Sequence, residues 1–218
     1  MIIKNLNLSL LSILFFLPIL AQAQTSSEYK HPLYAGALGG FGSTTWKGLV
    51  PSKINQNLAL SMSTPIKAQE GGEVWGFLAG YELTPFFALE ANYIHFPGAD
   101  VFFDEQSLFS FNYDGLTHFH TKTETLSLMG KVMLILPDTK IRLFSSAGLA
   151  NIHRQDMIVD DWKVGPSFGF GLNYPVTDHL MGEIGGNYIT GYGESQLNPA
   201  DAYFPFLYAI SIRLAYHF

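Results

Sequence analysis

The sequence predicts an all-β fold, a transmembrane up-and-down antiparallel barrel of about eight strands, and three observations predict it. Apolar residues recur at every second position along most of the chain, the connections between these segments alternate between long and short, and charge is scarce. Of 218 residues only 14% are charged, against 48% hydrophobic and 15% aromatic, whereas a soluble domain carries about a quarter charged residues. Apolar surface must therefore face something other than water. The 12 Lys and Arg against 18 Asp and Glu give a formal charge of −6. Such a chain lacks the concentrated basic surface that phosphate backbones require, so no nucleic-acid partner is expected. Zero cysteine excludes disulfides, thiol catalysis and thiolate metal sites.

The chain begins with an export signal. Lys4 supplies a positive start, Leu10 to Leu20 form an apolar run broken by Ser12 and Pro18, and Ala21-Gln22-Ala23 is a small-x-small cleavage site. The run is shorter than the roughly 20 residues of a spanning helix. Residues 1–23 are read as a secretory signal peptide and residues 24–218 as the barrel domain.

Eight segments follow, at 33–42, 73–82, 86–96, 123–134, 140–150, 163–174, 180–190 and 204–218. The second sets Trp75, Phe77, Ala79 and Tyr81 on one face against Val74, Gly76, Leu78, Gly80 and Glu82. In the third, Glu90 lies opposite Phe87, Leu89, Ala91 and Tyr93. The fourth puts Leu126, Leu128, Gly130 and Val132 opposite Thr125, Ser127, Met129 and Lys131. The fifth carries Arg142, and the sixth alternates Phe168, Phe170, Leu172 and Tyr174 with Ser167, Gly169, Gly171 and Asn173. In the seventh Glu183 opposes Ile184 and Tyr188, and in the last Arg213 opposes Tyr208, Ile210, Ile212, Leu214 and Tyr216. This is strand periodicity.

The connections run long (43–72), short (83–85), long (97–122), short (135–139), longer (151–162), short (175–179) and longer (191–203). All long loops therefore fall at one end, the asymmetry of an outer-membrane barrel with short periplasmic turns and long external loops. A soluble barrel of the lipocalin type would keep its apolar rows inside, and eight rows of Phe, Tyr, Trp and Leu would overfill so small a lumen. The inverted arrangement fits, with small residues and a few ion pairs inside. Aromatic placement agrees: Trp46, Trp75 and Trp162 fall at external strand ends near Tyr203, Phe204 and Phe206, whereas Phe86, Phe87, Tyr174, Tyr216 and Phe218 gather at the other end. Two such girdles anchor a barrel at both membrane interfaces.

Leu33-Tyr34-Ala35-Gly36-Ala37-Leu38-Gly39-Gly40-Phe41 and the run from Gly80 through Pro85 to Tyr93 resemble the first three strands of the OmpA-type barrel. Leu172 to Leu180 resembles its third short turn, and Ser211 to Phe218 its closing strand. The resemblance implies an eight-stranded barrel in the cell outer membrane, with Phe218 as the C-terminal signal read by the barrel-assembly machinery. The chain stops at Phe218, so the periplasmic peptidoglycan-binding domain of full-length members is not expected. The family's lumen holds a salt-bridge gate, and Glu90 and Lys131 match two of its positions. Near Asn173 and Glu183 the signs depart from it. The expected lumen network is Glu90 and Glu183 neutralised by Lys131 and Arg213, because an unpaired charge in so narrow a lumen is costly.

The leading functional expectation is a structural or surface-interaction barrel with an adhesion-like role through its external loops. Its expected partners are outer-membrane lipid, lipopolysaccharide and host or phage ligands, and a monomer is expected. The alternative is a small gated channel or hydrophobic-solute conduit. Eight strands leave an interior that side chains largely fill, so a wide pore is not expected. Small outer-membrane barrels include deacylases with a His-x-Ser pair, but none of His31, His95, His118, His120, His153, His179 or His217 has Ser two positions on, and no enzyme is expected. His118 and His120 share one side of an extended segment near Asp114 and Glu124. Such a pair more often belongs to a solvated loop than to a metal site, and no metal or cofactor is expected. Asp100, Asp104, Glu105, Asp156, Asp160 and Asp161 are read as a solvated rim, and Lys47, Lys53 and Lys67 as cations for lipopolysaccharide phosphates.

Overall fold

The alternation becomes nine strands in a computed structural model of the chain, which describes residues 31–50, 64–105, 115–193 and 203–218. The signal peptide read at residues 1–23, Lys53 and Asp114 lie outside the described residues. The strands are β1 (Leu33–Thr44), β2 (Lys67–Gln69), β3 (Gly72–Thr84), β4 (Phe87–Phe102), β5 (His118–Ile135), β6 (Arg142–Gln155), β7 (Asp160–Pro175), β8 (Leu180–Ile189) and β9 (Leu207–His217). The sheet runs β2-β4-β3-β1-β9-β8-β7-β6-β5, and β4 pairs with β5 as well. Strands β1 and β3 to β9 thus close into an eight-stranded antiparallel barrel. β1 meets β9 from Tyr34 opposite His217 to Thr44 opposite Leu207. The short β2 pairs with Asp100 to Phe102 of β4, continuing the wall above the reach of β3.

Side chains sort by face as strand geometry requires. Along β5, Leu126, Leu128, Val132 and Leu134 point outward and are exposed, while Thr125, Ser127, Met129, Lys131 and Met133 point inward and are buried. Along β9, Tyr208, Ile210, Ile212, Leu214 and Tyr216 face out, and Ser211, Arg213 and Ala215 face in. The three short turns, at 85–86, 136–141 and 176–179, share one end of the barrel with Leu33 and Phe218. In the second of these, Asp138 takes φ 59°, a left-handed turn position that Asp tolerates.

The strands run further outward than the alternation suggests. β4 continues to Phe102 and β5 starts at His118, through a bulge between Phe96 and Ala99 where Pro97-Gly98 interrupts the ladder. β6 and β7 form one long hairpin, so the loop expected at 151–162 is a turn at 156–159. Asp156 Oδ1 closes it by accepting hydrogen bonds from the backbone N–H groups of Ile158 and Val159, both at 2.9 Å. These strands outrun the expected segments because their pattern inverts here. Above the barrel's middle, Ala99, Val101 and Phe119 turn inward and are buried, while His118, His120 and Lys122 face out. Apolar residues have exchanged faces, as they must where the exterior passes from lipid to water.

Candidate functional site

The charged strand residues converge inside the short-turn half of the lumen. β4 lies across the ring from β8, and β5 across from β9. Arg213 Nη1 donates to Glu90 Oε1 at 2.8 Å and lies 3.8 Å from Glu183 Oε2. Lys131 Nζ donates to Glu90 Oε2 at 3.3 Å and also to Glu183 Oε1. Glu90, Lys131, Glu183 and Arg213 thus form one cluster spanning the lumen, each at most 4% exposed. Neutral residues complete it. The Tyr34 hydroxyl donates to Glu90 Oε2 at 2.8 Å, Asn173 Nδ2 to Glu183 Oε1 at 2.6 Å, and Arg213 Nη2 to Asn187 Oδ1 at 2.5 Å. Lys131 Nζ also sits 4.2 Å from the centroid of the Phe144 ring, a cation–π contact.

A second ion pair lies beside this cluster. Arg142 Nη1 and Nη2 each approach the Glu82 carboxylate at 3.2 Å, and Arg142 Nε donates to Asn173 Oδ1 at 3.0 Å, joining the two groups. Three carboxylates therefore face three cations, and the buried network is neutral. Sequence reasoning placed Glu82 and Arg142 among the strand charges without assigning them to the network. Their inward positions in the period were the available signal. Beyond the network the lumen has a polar wall of Thr123, Thr125 and Ser127 on β5, and an apolar wall of Leu38, Leu78 and Ile94.

The external end is closed by different chemistry. Trp46 opens a short 3-10 turn, Trp46–Leu49, immediately after β1, and its side chain is fully buried. This corrects its assignment to the outer aromatic girdle. The β alternation ends at Thr44, and the turn that follows carries the indole over the mouth instead of leaving it on the lipid face. There it packs edge-on against Phe119 at 5.6 Å and Tyr203 at 4.8 Å, in a cluster with Ala68, Ala99, Val101 and Phe103. Arg154, also fully buried, lies over it, with Cζ 4.8 Å from the Trp46 ring and 5.8 Å from the Phe119 ring. Arg154 Nε donates to Asp156 Oδ2 at 2.6 Å, and Nη1 to the Tyr203 carbonyl at 2.5 Å. Asp156, expected on a solvated rim, is thus a buried partner with a fully covered side chain. Tyr203 and Phe204, expected beside the girdle, are buried as well. Below the turn, Glu70 Oε2 accepts the Lys47 N–H at 3.2 Å. Burial pushes the Glu70 carboxyl above its usual range, against the lowering effect of the Lys47 and Trp46 N–H groups.

The other residues expected in the girdles, Trp75, Trp162, Tyr174 and Tyr216, are on the outer face, each between 45% and 48% exposed. At the external level one row of outward residues crosses five strands: Trp75 pairs with His95, His95 with Glu124, Glu124 with His153, and His153 with Trp162. Both histidines stack on the indoles, at 5.1 and 4.3 Å. At the other end Tyr216 meets Phe218 at 5.3 Å, and the Phe218 N–H donates to the Leu33 carbonyl at 2.9 Å. His118 and His120 both face outward. The first stacks on Phe102 and the second pairs with Asp100 at 2.9 Å.

A closed eight-stranded ring with apolar residues outside and charges inside is the architecture of a small outer-membrane barrel. The model of the outer membrane protein beta-barrel domain family matches residues 11–218. The chain belongs to this family. No curated protein matches its sequence. Among solved structures it is similar to Neisserial surface protein A, at 11% identity and a TM-score of 0.52, covering 85% of this chain and 97% of that one. It is also similar to the outer membrane protein OprG of Pseudomonas aeruginosa, at 12% identity and a TM-score of 0.50, covering 87% and 98%. As a member of the outer-membrane β-barrel family, the protein resides in the outer membrane. Its apolar face meets lipid, and in such barrels the short turns face the periplasm.

Proposed function

We propose that this outer-membrane barrel is a closed structural scaffold with an adhesion-like, surface-interaction role, its external turns and strand extensions contacting host, phage or lipid partners. The observation that carries the reading is the neutral network of Glu82, Glu90, Lys131, Arg142, Glu183 and Arg213, whose ion pairs cross the lumen. Ions crossing the barrel would have to break several buried charge pairs at once, each several kcal/mol to leave unpaired. The chemistry free to meet a partner is therefore outside. Lys47 and Lys67 are exposed on the external side, the latter with Nζ 5.4 Å from the Phe102 ring centroid, and they supply cations for lipopolysaccharide phosphates. Planar-bilayer recording of the refolded protein tests the reading. No steady conductance is expected, and reproducible unitary openings would overturn it in favour of a small gated channel or hydrophobic-solute conduit.

A further inference from the structure

Arg154 draws together four pieces of the barrel's external end. Its guanidinium stacks on Trp46, from the connection after β1, and on Phe119, at the foot of the connection that enters β5. It also bonds Asp156 of the β6–β7 turn and the Tyr203 carbonyl of the connection before β9. Secondary contacts join the same pieces without Arg154. The Tyr203 hydroxyl donates to the Thr45 carbonyl at 2.8 Å, and Thr45 Oγ1 donates to the Phe206 carbonyl at 3.1 Å. Ile158 packs at the edge of the cluster formed by Trp46, Phe103, Phe119 and Tyr203.

We propose that Arg154 is a positioning residue that clasps the Trp46–Leu49 turn, the outer end of β5 at Phe119, the 156–159 turn and the segment at Tyr203 into one preorganised cover, so that these four pieces order and open as a unit. The proposal rests on the surface-interaction reading for its biological purpose. Physically it rests only on the clasp. A guanidinium suits the place because it is planar and always charged. It can stack on an indole with its face while its edge serves a carboxylate and a carbonyl. Asp156, which accepts from Arg154, also accepts two backbone N–H groups of its own turn, so the carboxylate that holds Arg154 is itself held. A ligand contacting one connection would therefore meet a surface whose other parts are already in place, and its binding would not bear the cost of ordering them.

The test uses the full-length protein refolded in lipid, with Trp75→Phe and Trp162→Phe as background so that Trp46 alone reports. Arg154→Met should leave heat-modifiable gel migration intact, shift Trp46 emission to the red, and raise proteinase K cleavage several-fold at residues 46–50, 156–159 and 203–206 together. Arg154→Lys keeps the charge but not the fork or the stacking face, and should fall between the two. Extra cleavage confined to the 156–159 turn, or an unshifted Trp46, would overturn the proposal. Should Arg154→Met fail to assemble, hydrogen exchange on the unaltered protein decides. Amides at Val50, Phe103, Asp156 and Phe206 should share one opening rate, and rates spread over orders of magnitude would overturn the clasp. No ligand enters these measurements, so a protein that binds nothing at its surface could still carry the clasp.

Discussion

Side chains cross the lumen at two levels, and these inner and outer closures are built on opposite principles. The inner one, nearer the periplasm, consists of side chains projecting from the barrel wall: Glu82 on β3, Glu90 on β4, Lys131 on β5, Arg142 on β6, Asn173 on β7, Glu183 on β8 and Arg213 on β9. The outer one consists of a single strand residue, Arg154, gripping side chains and a carbonyl delivered by turns and strand ends. The inner closure cannot be loosened without exposing charges to a lumen in which each is already buried. The outer closure holds the Trp46 turn and Tyr203 by contacts that belong to no ladder of the barrel. One is part of the fold, and the other is a cover fitted to it.

The largest effect should follow from unbalancing the inner closure. Lys131→Met keeps the bulk of the side chain against Phe144 but leaves Glu90 with only Arg213 as a cation and Glu183 with a 3.8 Å contact to the same residue. Removing one partner of a buried ion pair costs about 3–5 kcal/mol. Urea unfolding of the refolded barrel should register that loss globally. A loss below about 1 kcal/mol would mean that the network is as dispensable as a surface pair, and the contrast between the closures would fail.

A smaller and more local effect is expected at the outer closure. Asp156→Asn removes the charge that holds Arg154 but retains an oxygen for the Ile158 and Val159 N–H groups. The cost should be about 1–3 kcal/mol, that of weakening one charged, buried hydrogen bond. It should appear as faster hydrogen exchange around Trp46 and the 156–159 turn, with the unfolding midpoint of the barrel nearly unmoved. A midpoint that falls as far as in Lys131→Met would show that cover and barrel unfold as one.

The same division governs what could be read from the sequence. Within the membrane span, lipid outside and a crowded lumen inside impose opposite demands on successive residues. The period of two therefore reveals the fold and puts Glu90, Lys131, Glu183 and Arg213 on the inward face. It does not reveal which charge meets which, because that depends on strand register and on the tilt that brings β5 residues to β8. Tyr34 and Asn187 join the network without any signal of their own, since a neutral polar residue facing inward looks like lumen filling. Above the span the solvent outside is water, the apolar face turns inward, and alternation no longer distinguishes strand from loop. Arg154 lies two residues beyond the inward Ile152 on an unbroken β6, yet in the sequence it reads as one more loop charge. Trp46 misled for the same reason, since a tryptophan just past a strand end is normally an interfacial anchor.

The smallest expected effect separates the closures by pH. Glu70 supports the Trp46 turn from below, and its carboxyl is raised above the ordinary 4.5 chiefly by burial. An acid whose folded pKa lies above its unfolded pKa favours the folded state most when protonated in both. That contribution is complete below 4.5 and is lost as pH rises through the raised folded value. The cover should therefore loosen slightly on going from acid toward neutral pH, with the inner closure insensitive to Glu70. Glu70→Gln keeps an oxygen to accept the Lys47 N–H but cannot ionise. It should flatten the pH dependence of Trp46 emission between about pH 4 and about pH 7 while leaving emission at the acid end unchanged. If the slope survives in Glu70→Gln, the titrating group lies elsewhere and Glu70 is not what loosens the cover.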